Sequence, residues 1–194
     1  MKKSKIYLHK IIYCSLNQKY KIIFNNSDCT KEFFAYFNNI YAKQIAMSSE
    51  GITTSDQSQY ELFVNLLNVL KMRVLRIVIN KTGDNLIGTL ELEDSTKNKI
   101  KINSYIADAI IIALITFSDM YIDESFLIKI DDLVDVENTP KYFPKKNETS
   151  YRLNNKMTNS KMEVLKMALN ECVKKENYES AAFLRDRIKE LKIK

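Results

Sequence analysis

The final 34 residues, 161–194, carry two apolar stripes that need something else to be buried against. Leu165, Ala168, Leu169, Cys172 and Val173 recur at helical spacing. After Lys175-Glu176-Asn177, a second stripe runs through Tyr178, Ala181, Ala182, Arg185, Ile188 and Leu191. Asn177 is placed to cap the second helix, Glu179 suits its N-terminal dipole, and Lys189 and Lys192 complement the other end. The paired alanines permit close helix approach. A two-helix hairpin of this size is too small to hold a core of its own. It must pack on the rest of the chain, on a second copy or on another protein.

Upstream, 6–15 and 20–24 are β-branched and aromatic runs flanking Leu16-Asn17-Gln18-Lys19, the pattern of a hairpin, and 32–37 reads as a third strand. Asn38 and Asn39 can cap a helix that runs to Ser49 and stops at Gly51. Ser58 and Glu61 form a capping box, and the helix they open carries Leu62, Phe63, Leu66, Leu67 and Leu70 as a buried face. Strands follow at 73–80, 86–93 and 99–103. Ser104 is placed to cap an apolar helix over 105–117, 120–123 reads as a strand, and Ser125 opens a short helix to Leu133. Regular βαβ alternation is absent. The pattern predicts an α+β fold, a mixed or antiparallel sheet with packed helices, followed by the two-helix hairpin. Between 137 and 160, Pro140, Pro144 and a run rich in Lys, Asn, Ser and Thr leave no periodic face. The expected organisation is a domain at 1–136, a flexible linker at 137–160 and the hairpin at 161–194.

Charge is unevenly spread. Residues 1–31 carry seven Lys against one Asp, 32–137 carry nine basic and sixteen acidic residues, and 138–194 carry fourteen basic and seven acidic. Only the two ends have the basic character of a nucleic-acid surface, and the first reading of them is the solvated exterior of a lysine-rich protein. Cys14, Cys29 and Cys172 have no metal-ligand spacing, and with His9 as the single histidine a zinc site of the usual type is excluded. Unpaired thiols suit a reducing cytoplasm. The longest apolar run, 106–115, is about half a membrane span and contains Asp108, so a soluble cytoplasmic protein without a membrane partner is expected.

Two resemblances refine this reading. The string Glu176-Asn177-Tyr178-Glu179-Ser180-Ala181-Ala182-Phe183-Leu184-Arg185-Asp186-Arg187-Ile188 resembles the UVR motif of bacterial excision-repair subunits. That likeness implies a helical hairpin that pairs with another such hairpin or with a protein partner. Tyr178, Glu179, Ala181, Ala182, Leu184, Arg185, Asp186 and Ile188 would be the docking residues. The body, over about 5–132, resembles the bifunctional nuclease domain of bacteria and plants, a family proposed to cleave DNA and RNA. Glu50-Gly51 ends its first strand-to-helix segment, Tyr60-Glu61-Leu62 falls where the family has His-Asp-Leu, and Ala107-Asp108-Ala109-Ile110 matches its Ser-Asp-Ala-Ile. The family's Arg-Pro pairs correspond here to Tyr105-Ile106 and Asp56-Gln57, its glycine to Asn38 and its histidine to Tyr60.

The resemblance implies metal-dependent phosphodiester hydrolysis, with Asp108 and Glu61 as catalytic carboxylates holding Mg²⁺ or Mn²⁺. A homo-oligomer is also implied. The missing arginines and histidine fit an alternative, a catalytically degenerate adaptor of the same fold. Each acid also has a structural reading, and it comes first: Asp108 as an acid in the first turn of a helix, Glu61 as half of a capping box and Glu50 as a solvated helix-end residue. Tyr60 and Tyr105 read as packing residues or as base-stacking platforms.

Overall fold

The computed structural model describes residues 2–15, 17–52, 58–83, 85–130 and 160–193. Its strands are β1 (Lys3–Cys14), β2 (Lys19–Asn26), β3 (Lys31–Phe37), β4 (Arg73–Thr82), β5 (Asn85–Glu93), β6 (Lys99–Tyr105), β7 (Asp119–Asp123) and β8 (Ile128–Lys129). The helices are α1 (Asn39–Ser49), α2 (Ser58–Val69), α3 (Ile106–Ile115), α4 (Ser160–Lys174) and α5 (Tyr178–Ile193). All eight strands form one mixed sheet in the order β6-β5-β4-β7-β1-β2-β3-β8. Every pairing is antiparallel except β4 with β7. The expected α+β class is what forms.

Alternation along the strands assigns the two sheet faces. Ile6, Ile22, Phe24, Phe33, Phe37, Ile77, Ile79, Leu90, Leu92, Met120 and Ile122 share one face and are buried in a single cluster with residues of α1 and α3. A bulge at His9 in β1 shifts the register, so Leu8 and Ile11 both point to that core while Lys10 stays on the opposite face. Helix α3 lies close to the sheet because Gly88 leaves room for it: a Cβ there would sit 2.1 Å from the Ala109 Cβ. Helix α1 begins at Asn38, whose side-chain oxygen accepts the Tyr41 amide at 3.0 Å, and ends at Gly51 in the left-handed region (φ +69°). The Gly51 and Ile52 amides donate to Ser48 O and Met47 O, closing the helix as the Asn/Gly signals predicted.

Three expectations need correction. Leu62, Leu66 and Leu70 do not form the buried face of α2, since they are 71, 52 and 56 % exposed. The inward row is Tyr60, Phe63 and Leu67 at i, i+3, i+7, and the leucines at i, i+4, i+8 belong to a second row rotated away from it. Ser104 does not cap α3. It remains in the β5–β6 ladder opposite Gly88, its hydroxyl donates to Gly88 O, and the helix starts after Tyr105 without a side-chain cap. Ser125 opens no helix reaching Leu133. Asp123 accepts the Ser125 amide at 3.0 Å to make a single 3-10 turn, Glu124–Phe126, and Ile128 then pairs with Glu32. Residues 131–133, the linker at 137–159 and the Ser58 side chain of the capping box lie outside the described residues.

The C-terminal hairpin packs on its own chain. Val164, Leu165, Ala168, Cys172, Ala181, Leu184 and Ile188 belong to the same buried cluster as the sheet core, with α4 lying against α1 and β1. Asn177 caps α5 as expected, accepting the Ser180 amide at 3.3 Å. Burying one such aliphatic side chain contributes about 1.5–3 kcal/mol, so this seat rests mainly on apolar area.

Replacing Gly88 with alanine should destabilise the fold by about 1–3 kcal/mol, the usual cost of overpacking. Urea denaturation would show it as a lower midpoint at unchanged slope.

Candidate functional site

Asp108 occupies the first turn of α3, where the helix dipole favours an acid. Its partner is Tyr60, brought in on the inward row of α2: the phenol donates to Asp108 Oδ1 at 2.7 Å. Tyr60 is only 4 % exposed. Burial, and then the hydrogen bond to Asp108, push its pKa well above the ordinary tyrosine value. The phenol therefore stays protonated through the neutral range and cannot act as a base there. Tyr41 of α1 stacks obliquely on Tyr105, with centroids 5.2 Å apart, and its own pKa is raised by burial first and then by the nearby Asp108 and Tyr105. The result is one half-buried carboxylate rimmed by three tyrosines.

Glu61 follows Tyr60 on α2, about 100° further around the helix, and is exposed. The structure thus joins Asp108 to Tyr60, while Glu61 faces solvent. Among the described residues no group of three or more His, Cys, Asp or Glu side chains is arranged to hold a metal. A divalent ion at Asp108 would compete with a phenol already on one carboxylate oxygen. Among the described residues, the side chains around Asp108 do not gather a Mg²⁺ or Mn²⁺ ligand set.

Glu50 is where sequence reasoning went furthest astray. It is not a solvated helix-end residue, for its side chain is only 5 % exposed. One oxygen pairs with Lys161 at the start of α4, and the other accepts from Arg187 Nε of α5 at 2.7 Å. Burial would push this carboxyl's pKa up, but the two cations together hold it below the usual glutamate value. A second cross-link joins Lys43 of α1 to Glu171 of α4 at 2.5 Å. These ties orient a hairpin that its apolar residues already bury.

The hairpin residues expected to dock partners divide into two sets. Ala181, Leu184 and Ile188 are buried, whereas Tyr178, Glu179, Ala182, Arg185 and Asp186 are exposed. Of the paired alanines, only Ala181 therefore serves the close packing. Tyr178, Ala182 and Arg185 form an i, i+4, i+7 row on the outer surface, and Glu179, Phe183 and Asp186 form the next row.

An α+β sheet domain carrying a docked helical hairpin is the class that this geometry defines. The bifunctional nuclease domain matches residues 22–132, and the UvrB/uvrC motif matches residues 159–194. The first match spans more than half of the chain, which belongs to the bifunctional nuclease domain family and carries a C-terminal UVR hairpin. No curated protein matches the chain significantly. No described helix is long and apolar enough to cross a membrane.

Tyr60→Phe should cost about 1.5–3 kcal/mol, the range for a hydrogen bond to a charged group, in urea denaturation at neutral pH. For Glu50 the sign follows from its lowered pKa. The carboxylate supports the docked hairpin above the ordinary glutamate range, and that support is lost as pH falls through the lowered value. Protection factors in α4 and α5, taken relative to the intrinsic exchange rate at each pH, should fall on acidification in the native chain, and Glu50→Gln should show lower protection already at neutral pH.

Proposed function

We propose that the protein engages nucleic acid as a binding and docking member of the nuclease family, with hydrolysis lost. The observation that carries this reading is the Tyr60–Asp108 hydrogen bond. At the position where the resemblance puts a histidine stands a phenol held protonated, and it takes up an oxygen of the half-buried Asp108 carboxylate. Glu61 lies on the solvent side, and the arginines that would grip phosphate bidentately are replaced by Tyr105-Ile106 and Asp56-Gln57. The exposed Tyr105 retains a ring face that a base can stack on.

The hairpin is the protein-docking part. Its inner residues are committed to the body of the same chain, so a partner or a second copy would meet the outer rows, Tyr178–Ala182–Arg185 and Glu179–Phe183–Asp186. Truncating the hairpin would strip the core of Val164, Leu165 and Leu184 and confuse docking with unfolding. Outer-face substitutions avoid this.

A second reading, hydrolysis centred on Asp108, is favoured by family membership and by the half-buried position of this acid in the first turn of α3. Labelled single- and double-stranded DNA and RNA, incubated with Mg²⁺ or Mn²⁺, separate the two. The binding role requires cleavage no faster than that by Asp108→Ala. Metal-dependent cleavage that Asp108→Ala abolishes would install hydrolysis instead, with Glu61→Ala the next variant to assay. For the hairpin, Tyr178→Ala with Arg185→Ala should reduce self-association in sedimentation while leaving thermal stability within about 0.5 kcal/mol, as for ordinary surface changes.

A further inference from the structure

The opposite face of the sheet has no described helix against it, because the helices gather on the Ile22–Ile77–Leu90 side. The basic N-terminal block of the sequence ends up here. By register, Lys3, Lys5, Lys10, Lys19 and Lys21, five of the seven lysines in residues 1–31, project from β1 and β2 onto this open face. The same face bears Tyr7 on β1, Phe34 and Tyr36 on β3 and Tyr121 on β7. Tyr7 and Tyr36 are 47 and 44 % exposed. Cations lie over three of these rings: Lys5 over Tyr7 at 5.2 Å, Lys21 over Phe34 at 4.1 Å and Arg76 over Tyr121 at 5.6 Å.

On β7, β1, β2 and β3 this face carries three acids against five lysines: Asp119 pairs with Lys5 at 2.6 Å, Asp123 lies opposite Lys3 and Glu32 opposite Asn25, while on the neighbouring strands Glu91 pairs with Arg76 at 2.6 Å. The surplus of lysine on β1 and β2 therefore sets the local sign. Asn25, opposite Tyr7 in the ladder and 7 % exposed, has its side-chain oxygen buried beneath this face without a hydrogen bond. Exposed rings interleaved with cations are what unpaired bases and their phosphates require together. A duplex does not suit this surface, since its bases are stacked away and its major groove admits a helix or a two-stranded ribbon rather than a broad sheet. From β7 to β3 the face spans three strand spacings, about 14 Å, enough for a few nucleotides.

We propose that the helix-free face of β7, β1, β2 and β3 binds single-stranded nucleic acid, with Tyr7 and Tyr36 as stacking platforms and Lys19 and Lys21 contacting phosphates. This rests on the reading that the chain engages nucleic acid, and it names the strand type and the surface. Fluorescence anisotropy of labelled oligo(dT) and oligo(U) with the full chain tests it. Three variants are compared, each checked for folding by circular dichroism: Tyr7→Leu/Tyr36→Leu, Lys19→Ala/Lys21→Ala, and Val69→Ser on the exposed side of α2 as control. The expected result is binding to single strands, weakened about tenfold or more in the tyrosine variant and unchanged in the control. In the lysine variant the slope of log affinity against log salt should fall by about 1.4, two phosphate contacts' worth. Undiminished binding by both open-face variants would overturn this surface and leave the binding role intact at another place. Failure of the folded native chain to bind any single or double strand would overturn both.

Discussion

The parallel pairing of β4 with β7 holds the architecture together. It joins an antiparallel half, β6-β5-β4, to a second antiparallel half, β7-β1-β2-β3-β8, in register from Arg76–Asp119 to Ile79–Ile122. A parallel neighbour needs a crossover, and here that crossover includes α3, which returns across the sheet over Gly88. With both halves in one sheet, the apolar rows of β1, β2, β3, β4, β5 and β7 become a single wide surface. The body helices α1 to α3 cover part of it, and the hairpin supplies the wall against α1 and β1. The opposite face is then free to carry lysines and tyrosines.

This division separates the chemistry of the two sides. On the helical side, Asp108 is bonded to Tyr60, and Glu50 is held between Lys161 and Arg187. In both cases a carboxylate that sequence position would assign to chemistry or to solvent has a structural partner. Burying Glu50 is tolerable because two opposite charges surround it, and its partners remain about a third exposed, so much of their hydration is retained. The outer rows of α5 and the open sheet face keep exposed side chains, Tyr178 and Phe183 on the one and Tyr7 and Tyr36 on the other.

What was legible in the chain followed the range of the interaction. Asn38, Gly51 and Asn177 act on amides within a few residues, and all three cap or stop helices as their types predict. The leucines of α2 show the limit of periodicity: two neighbouring rows both qualify, and only tertiary placement makes Tyr60–Phe63–Leu67 the inward one. Ser104 has the right type for a cap, but the ladder opposite Gly88 claims it first. Glu50 and Arg187 are 137 residues apart, and Tyr60 and Asp108 are 48 apart. No spacing rule reaches that far. The basic N-terminal block was visible as charge, while its collection onto one face depends on the bulge at His9 and on strand alternation.

Lysine acetylation footprinting of the full chain, with and without a single-stranded oligonucleotide, tests the two-sided arrangement most directly. Lys19 and Lys21 lie on the open face, whereas Lys166 and Lys189 are exposed on the hairpin. Loss of reactivity at Lys19 and Lys21, with Lys166 and Lys189 unchanged, is the expected result. Protection confined to the hairpin lysines would contradict it and place the nucleic acid on the helical side.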